Sequence, residues 1–221
     1  MKRIGIMGGT FDPVHNGHLL LGQQAYREYG LEEIWYMPSH IPPHKRDHHV
    51  ADGANRLAML RLALEEAPGF LVSDFEMRRE GTTYTAQTLR LLKEQYPDTE
   101  FYFIIGADSL FQLETWYHPE QVMAMAVLLV AAREYHTDHT MDEEIRRLTE
   151  KYGAKIALLH SRMMDISSEE IRRLASLGLP FSQYVPPKVE AYIKAHGLYR
   201  SNGSIKDIEE SETKKTQKER S

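Results

Sequence analysis

His15 and His18 flank Asn16-Gly17 directly behind a glycine-rich stretch, Gly8-Gly9-Thr10-Phe11-Asp12-Pro13. Residues three apart at a helix start share one face, so both imidazoles are expected to look into the same space. Gly8 and Gly9 carry no Cβ, which lets backbone N–H groups come close to a ligand. Pro13 holds Asp12 in extended geometry and delays the helix, so Asn16 is the expected N-cap. The first helical turn adds unpaired N–H groups and the positive end of the peptide dipole. This arrangement favours an anion, and a phosphate fits it.

The pair itself leaves several chemistries open. A zinc site has no third ligand at short range and the HExxH pattern is absent, which argues against metal ligation. Proton abstraction is open, because histidine titrates near neutrality. The simplest role is electrostatic: N–H donors fixed beside helix amides stabilise charge that grows on a phosphate during transfer.

Alternating strand and helix patterns must position this turn. Lys2 to Met7 reads as a strand, and the helix behind the histidines ends at Gly30. Ile34 to Met37 is the next strand. Pro38 to Gly53 follows, with three prolines, four histidines and no period: a loop long enough to be functional. Leu57, Leu60 and Leu64 restore a helical stripe, Phe70 to Phe75 is a third strand, and Leu89, Leu92 and Tyr96 mark a helix closed by Pro97. Phe101 to Ile105 is a continuous apolar strand that runs into Gly106-Ala107-Asp108. Ala126 to Val130, a helix around Ile145 and Leu148, and Lys155 to Leu159 come next. Two short helices finish the pattern, one from Ser167-Ser168 with Ile171 and Leu174, the other after Pro186-Pro187 with Val189 and Ile193.

This order predicts an α/β fold: a doubly wound, mainly parallel sheet with helices on both faces, in a single domain spanning 1–200. Residues 201–221 mix Glu, Lys, Ser and Thr without an apolar face, and a charged, disordered tail is expected there. Gly8 to His18, Gly106 to Asp108 and Ser167-Ser168 all fall at strand C-termini or at the helices that follow, the edge at which open α/β sheets bind ligands.

Composition removes other classes. The 221 residues contain no cysteine, so disulfides, thiolate zinc sites and cysteine nucleophiles are out. No apolar run approaches the roughly 20 residues of a membrane span, and the N-terminus lacks a signal-peptide pattern, so no membrane association and a cytoplasmic location are expected. A formal net charge of -5 speaks against a general nucleic-acid binder. GxxxxGK[ST], GxGxxG after a strand and GxSxG are all missing, which weakens kinase, dehydrogenase and hydrolase readings.

Gly8 to His18, with its His-x-Gly-His core, and Ile166-Ser167-Ser168 followed by Ile171-Arg172 resemble the two signatures of the nucleotidyltransferase superfamily, whose fold is Rossmann-like. Within it, Pro42-Pro43-His44-Lys45, Tyr84-Thr85, Gly106-Ala107-Asp108-Ser109 and Thr115-Trp116-Tyr117 resemble the bacterial nicotinate-nucleotide adenylyltransferases, over Met1 to about Tyr199.

The resemblance implies ATP and a pyridine mononucleotide as partners, joined to a deamido dinucleotide with release of pyrophosphate in NAD biosynthesis. His15 and His18 would hold the triphosphate and the transition state, with Gly8, Gly9, Thr10 and Phe11 beside them. Ser167, Ser168 and Arg172 would grip the β- and γ-phosphates, Ile166 would belong to the same ATP site, and Lys45 would be a phosphate ligand. Gly106 would line the ATP site, Asp108 would contact a ribose or order Mg²⁺-bound water, and Arg133 would touch adenine or phosphate. Thr85, Trp116 and Tyr117 would form the mononucleotide pocket. Mg²⁺ is expected with ATP, without a dedicated protein metal site. Where the family often has Thr or Ser, this chain has Glu169. His48, His49, His136 and His139 are expected at the surface. A homo-oligomer is left open, as are two alternatives: a sister enzyme such as pantetheine-phosphate adenylyltransferase, and a non-catalytic nucleotide-binding regulator.

Overall fold

A computed structural model describes residues 1–40, 50–131, 138–160 and 166–200, with backbone only at 138 and 139. The strands are β1 (Lys2–Gly9), β2 (Glu33–Pro38), β3 (Phe70–Val72), β4 (Thr99–Gly106), β5 (Ala126–Ala131) and β6 (Ile156–Leu159). They form one sheet in the order β3-β2-β1-β4-β5-β6, and every neighbouring pair is parallel. The helices are α1 (Asn16–Glu28), α2 (Gly53–Leu64), α3 (Thr85–Gln95), α4 (Ala107–Phe111), α5 (Pro119–Met125), α6 (Asp138–Tyr152), α7 (Ser168–Ser176) and α8 (Pro187–Ala195). This is the expected doubly wound architecture.

Both faces of the sheet are covered, which is why its strands read as continuous apolar runs. Along β4, Phe101, Phe103 and Ile105 join a core with Leu89 of α3, Leu110 of α4, Val122 of α5 and Leu148 of α6. Ile104, between them, joins the opposite core with Ala25 of α1, Leu60 of α2, Ile171 of α7 and Val189 of α8. The central β1 fits close to its neighbours because residue 5 is glycine; a Cβ there would lie 2.5 Å from Ile34 Cδ1 and 2.9 Å from Leu31 Cδ1. Strand order reverses between β1 and β4, and a crevice opens beyond their C-terminal ends.

Several boundaries differ from expectation. β1 continues through Gly8 and Gly9 because β2 pairs alongside them, Gly8 against Met37 and Gly9 against Pro38. His15, not Asn16, is the N-cap of α1; the Asn16 amide instead donates to the Gln183 carbonyl and its backbone N–H to the Tyr184 carbonyl. β3 stops at Val72, where polar Ser73 and Asp74 turn the chain away. Tyr96 caps α3 rather than extending its stripe, and its ring meets Trp35 edge-on. The short helices α4 and α5 carry too few residues for a visible period. Among the described residues no helix is long and apolar enough to cross a membrane. The expected tail, 201–221, lies outside the described residues.

Candidate active site

A cleft of about 740 Å³ occupies the crevice at the reversal point. Gly8, Gly9, Thr10 and His18 are among its lining residues, as are Gly106, Ser109, Thr85, Trp116 and Tyr117.

The two histidines divide their roles. The backbone N–H of His15 donates to His18 Nδ1 at 3.2 Å. A neutral His18 that accepts at Nδ1 carries its proton on Nε2, so its tautomer is set by the helix start itself. Phe11 meets the His18 ring edge-on at 5.0 Å, and the buried Tyr36 hydroxyl donates to the His18 carbonyl at 3.1 Å. His15 is stacked on His18, centroids 3.6 Å apart, but is only 7% exposed and does not line the cleft. Its Nδ1 is buried without a partner among the described residues, and burial lowers its pKa to about 4. Of the two imidazoles expected to face the ligand space, His18 lines this cleft, and His15 stacks on it from a buried position.

The second signature docks on the same turn. Ser167 caps α7 by accepting the Glu170 N–H at 3.1 Å, which leaves its own hydroxyl proton to donate. Ser168 donates to the Pro13 carbonyl at 2.9 Å, and Arg172 Nη1 to the Asp12 carbonyl at 2.7 Å. Gly17 permits this approach, since a Cβ there would lie 3.0 Å from His15 Nδ1 and 3.2 Å from Ile166 Cγ2. Ile166, Ser167, Ser168 and Arg172 are not among the residues lining this cleft; Ser168 and Arg172 hold the Asp12-Pro13 turn that leads from it to His15. Glu169 is exposed in the first turn of α7, where the helix dipole favours an acid.

On the opposite wall, Trp116 stands edge-on to Phe103 at 6.3 Å and Tyr117 lies over Tyr84 at 4.5 Å, with Thr85 next to Tyr84 at the start of α3. The turn before them is anchored through Glu114, whose carboxylate accepts from Arg147, Lys151 and Tyr152. Gly106 lines the cleft, whereas Asp108 is exposed on α4 and does not. Lys45 and Arg133 lie outside the described residues, as do Pro42, Pro43, His44, His48, His49, His136 and the side chain of His139. Among the described residues no three His, Cys, Asp or Glu side chains gather as a metal site.

Other participants escaped the sequence reading. Arg56, buried on α2, holds the carbonyls of Thr10, Ser39, His40 and Ala51. A single arginine one position before an apolar stripe reads as a solvated residue, and only its carbonyl partners, brought together by the fold, show otherwise. Glu76 lines the cleft and accepts from Thr83 at 2.9 Å and Thr88 at 2.6 Å.

The sequence model of the cytidylyltransferase-like family matches residues 6–174. A protein of Lachnoclostridium phytofermentans named as a probable nicotinate-nucleotide adenylyltransferase is 47% identical over 199 residues, covering 90% of this chain and 100% of its own. The nicotinate-nucleotide adenylyltransferase of Bacillus subtilis is 37% identical over 202 residues, covering 91% and 100%. A solved structure of nicotinic acid mononucleotide adenylyltransferase from Plasmodium falciparum, in complex with NaAD, superposes with a TM-score of 0.76 at 21% identity, over 90% of this chain and 98% of that one; at that identity the likeness concerns the fold.

Proposed function

The chain belongs to the cytidylyltransferase-like family, and within it to the nicotinate-nucleotide adenylyltransferases; from that premise we propose how its cleft works. The enzyme joins ATP and nicotinate mononucleotide to deamido-NAD, in NAD biosynthesis. A phosphate oxygen of the mononucleotide bonds to the α-phosphorus of ATP, the bond from that phosphorus to the bridging oxygen breaks, and pyrophosphate leaves. Such transfer asks the protein for alignment and charge stabilisation rather than a covalent intermediate.

The observation that carries this reading is the continuity of the cleft from the Gly8, Gly9 and His18 end to the Thr85, Trp116 and Tyr117 end. A phosphate-binding strand end and an aromatic wall in one cavity suit a triphosphate beside a pyridine ring. In this reading His18, which lines the cleft, donates from Nε2–H to phosphate oxygens as charge moves toward the leaving group. Ser167 and Arg172 extend the anion site toward the β- and γ-phosphates, since a guanidinium fork suits phosphate. Lys45, Asp108 and Arg133 are proposed as further nucleotide contacts on the strength of the resemblance alone. Mg²⁺ enters as part of the nucleotide substrate.

Pyrophosphate release from ATP, measured against nicotinate mononucleotide, nicotinamide mononucleotide and phosphopantetheine, tests the proposal. Release with nicotinate mononucleotide is expected. Release only with phosphopantetheine would assign a sister reaction, and release with none of them would leave a binding protein.

A further inference from the structure

Asp12 lies in the histidine turn, and its side chain is buried at 2% exposure. Its Oδ1 accepts the Tyr199 hydroxyl at 2.6 Å and the Ala51 N–H at 3.2 Å. On the other side, Arg172 Nη1 lies 2.7 Å from the Asp12 carbonyl oxygen and 3.9 Å from Oδ2. One buried carboxylate thus stands between a tyrosine at the far end of the described chain and the arginine of the second signature.

The backbone marks the same place. Tyr199 has φ 65° and Phe11, next to Asp12, has φ 52°. Bulky side chains rarely adopt this left-handed region, and it persists where surroundings over-determine it. Burial first, and then the Asp12 charge, raise the Tyr199 pKa, so the phenol stays protonated and donates.

We infer that Tyr199 is a positioning residue for ATP: by holding Asp12 Oδ1, it restrains that carboxylate from closing on Arg172, and so keeps the guanidinium available to phosphate. Without the tyrosine, the Ala51 N–H is still fixed on Oδ1 by the backbone, and the charged donor within reach of the carboxylate is Arg172, at 3.9 Å from Oδ2. An Arg172 drawn into a tight ion pair with Asp12 would serve the nucleotide less well. The inference rests on the proposal that Arg172 binds ATP's phosphates.

Tyr199→Phe keeps the ring and removes the donor. Its KM for ATP should rise about tenfold, the worth of one charge-assisted hydrogen bond, with the KM for nicotinate mononucleotide within a few-fold of the parent. Adding Asp12→Asn, which removes the competing charge, should restore most of the ATP affinity. Unchanged KM values, or equal rises for both substrates, would reduce Tyr199 to a packing residue and overturn the inference. Should Tyr199→Phe fail to fold, Asp12→Asn alone decides: a KM for ATP no higher than the parent's is expected, and a tenfold rise overturns the idea. Arg172→Ala separates the two layers. If it leaves the KM for ATP unchanged, the reading of Arg172 fails; if it raises that KM while Tyr199→Phe does not, only the role of Tyr199 fails.

Discussion

The His15 backbone N–H points at Nδ1 of His18, 3.2 Å away, while the two rings stack at 3.6 Å. One residue therefore sets the other's tautomer through its main chain and the ring's place through its side chain. With Nδ1 accepting, a neutral His18 carries its proton on Nε2, a tautomer set by the fold. A preorganised donor of this kind needs no rearrangement when charge develops on the substrate.

His15 makes the protein acid-sensitive. Its pKa is depressed from 6.5 to about 4 by burial, so the unfolded state binds more protons than the folded state between those values. Stability from this group is fully present above the unfolded pKa and is lost as pH falls through the window toward the folded one, up to about 3 kcal/mol in all. Urea unfolding of the parent and of His15→Asn, compared near neutrality and near pH 5, should show the variant losing about 2 kcal/mol less on acidification. Parallel losses would mean that His15 is protonated in the folded protein.

Gly22 is glycine for the sake of Tyr36. A Cβ at Gly22 would lie 2.1 Å from the Tyr36 hydroxyl, which donates to the His18 carbonyl. Alanine ordinarily stabilises a helix interior by about 1 kcal/mol over glycine. Here Gly22→Ala is expected to lower both the melting midpoint and turnover, because it displaces the hydroxyl that anchors α1 at His18. Combining it with Tyr36→Phe should recover part of the stability but not the turnover. A Gly22→Ala protein that melts at or above the parent temperature would contradict this packing.

The sheet and most of its helices were legible because strands buried on both faces, such as Phe101 to Ile105, and stripes such as Leu57-Leu60-Leu64 announce themselves by period. Ser167-Ser168 as a helix start and Gly30 as a helix stop follow from local chemistry, and Gly30 has the left-handed backbone such a stop favours, at φ 54°. What stayed hidden depends on long-range placement. The two histidines have the same residue type and share a helix start, yet only the fold decides that His15 is buried and His18 lines the cleft. Asp12 reads as a turn residue; its tyrosine and its arginine come from positions 187 and 160 residues away. Arg56 reads as solvated until four carbonyls converge on it.

The central claim is that His18 acts as a transition-state donor, and kinetics of His18→Asn test it most directly. Asparagine can still accept the His15 N–H, so the helix start is kept while Nε2–H is removed. With ATP and nicotinate mononucleotide, kcat should fall about 100-fold or more, on the order of 2.7 kcal/mol, with the melting midpoint nearly unchanged. A His18→Asn enzyme that turns over within a few-fold of the parent would show that the histidine only caps the helix.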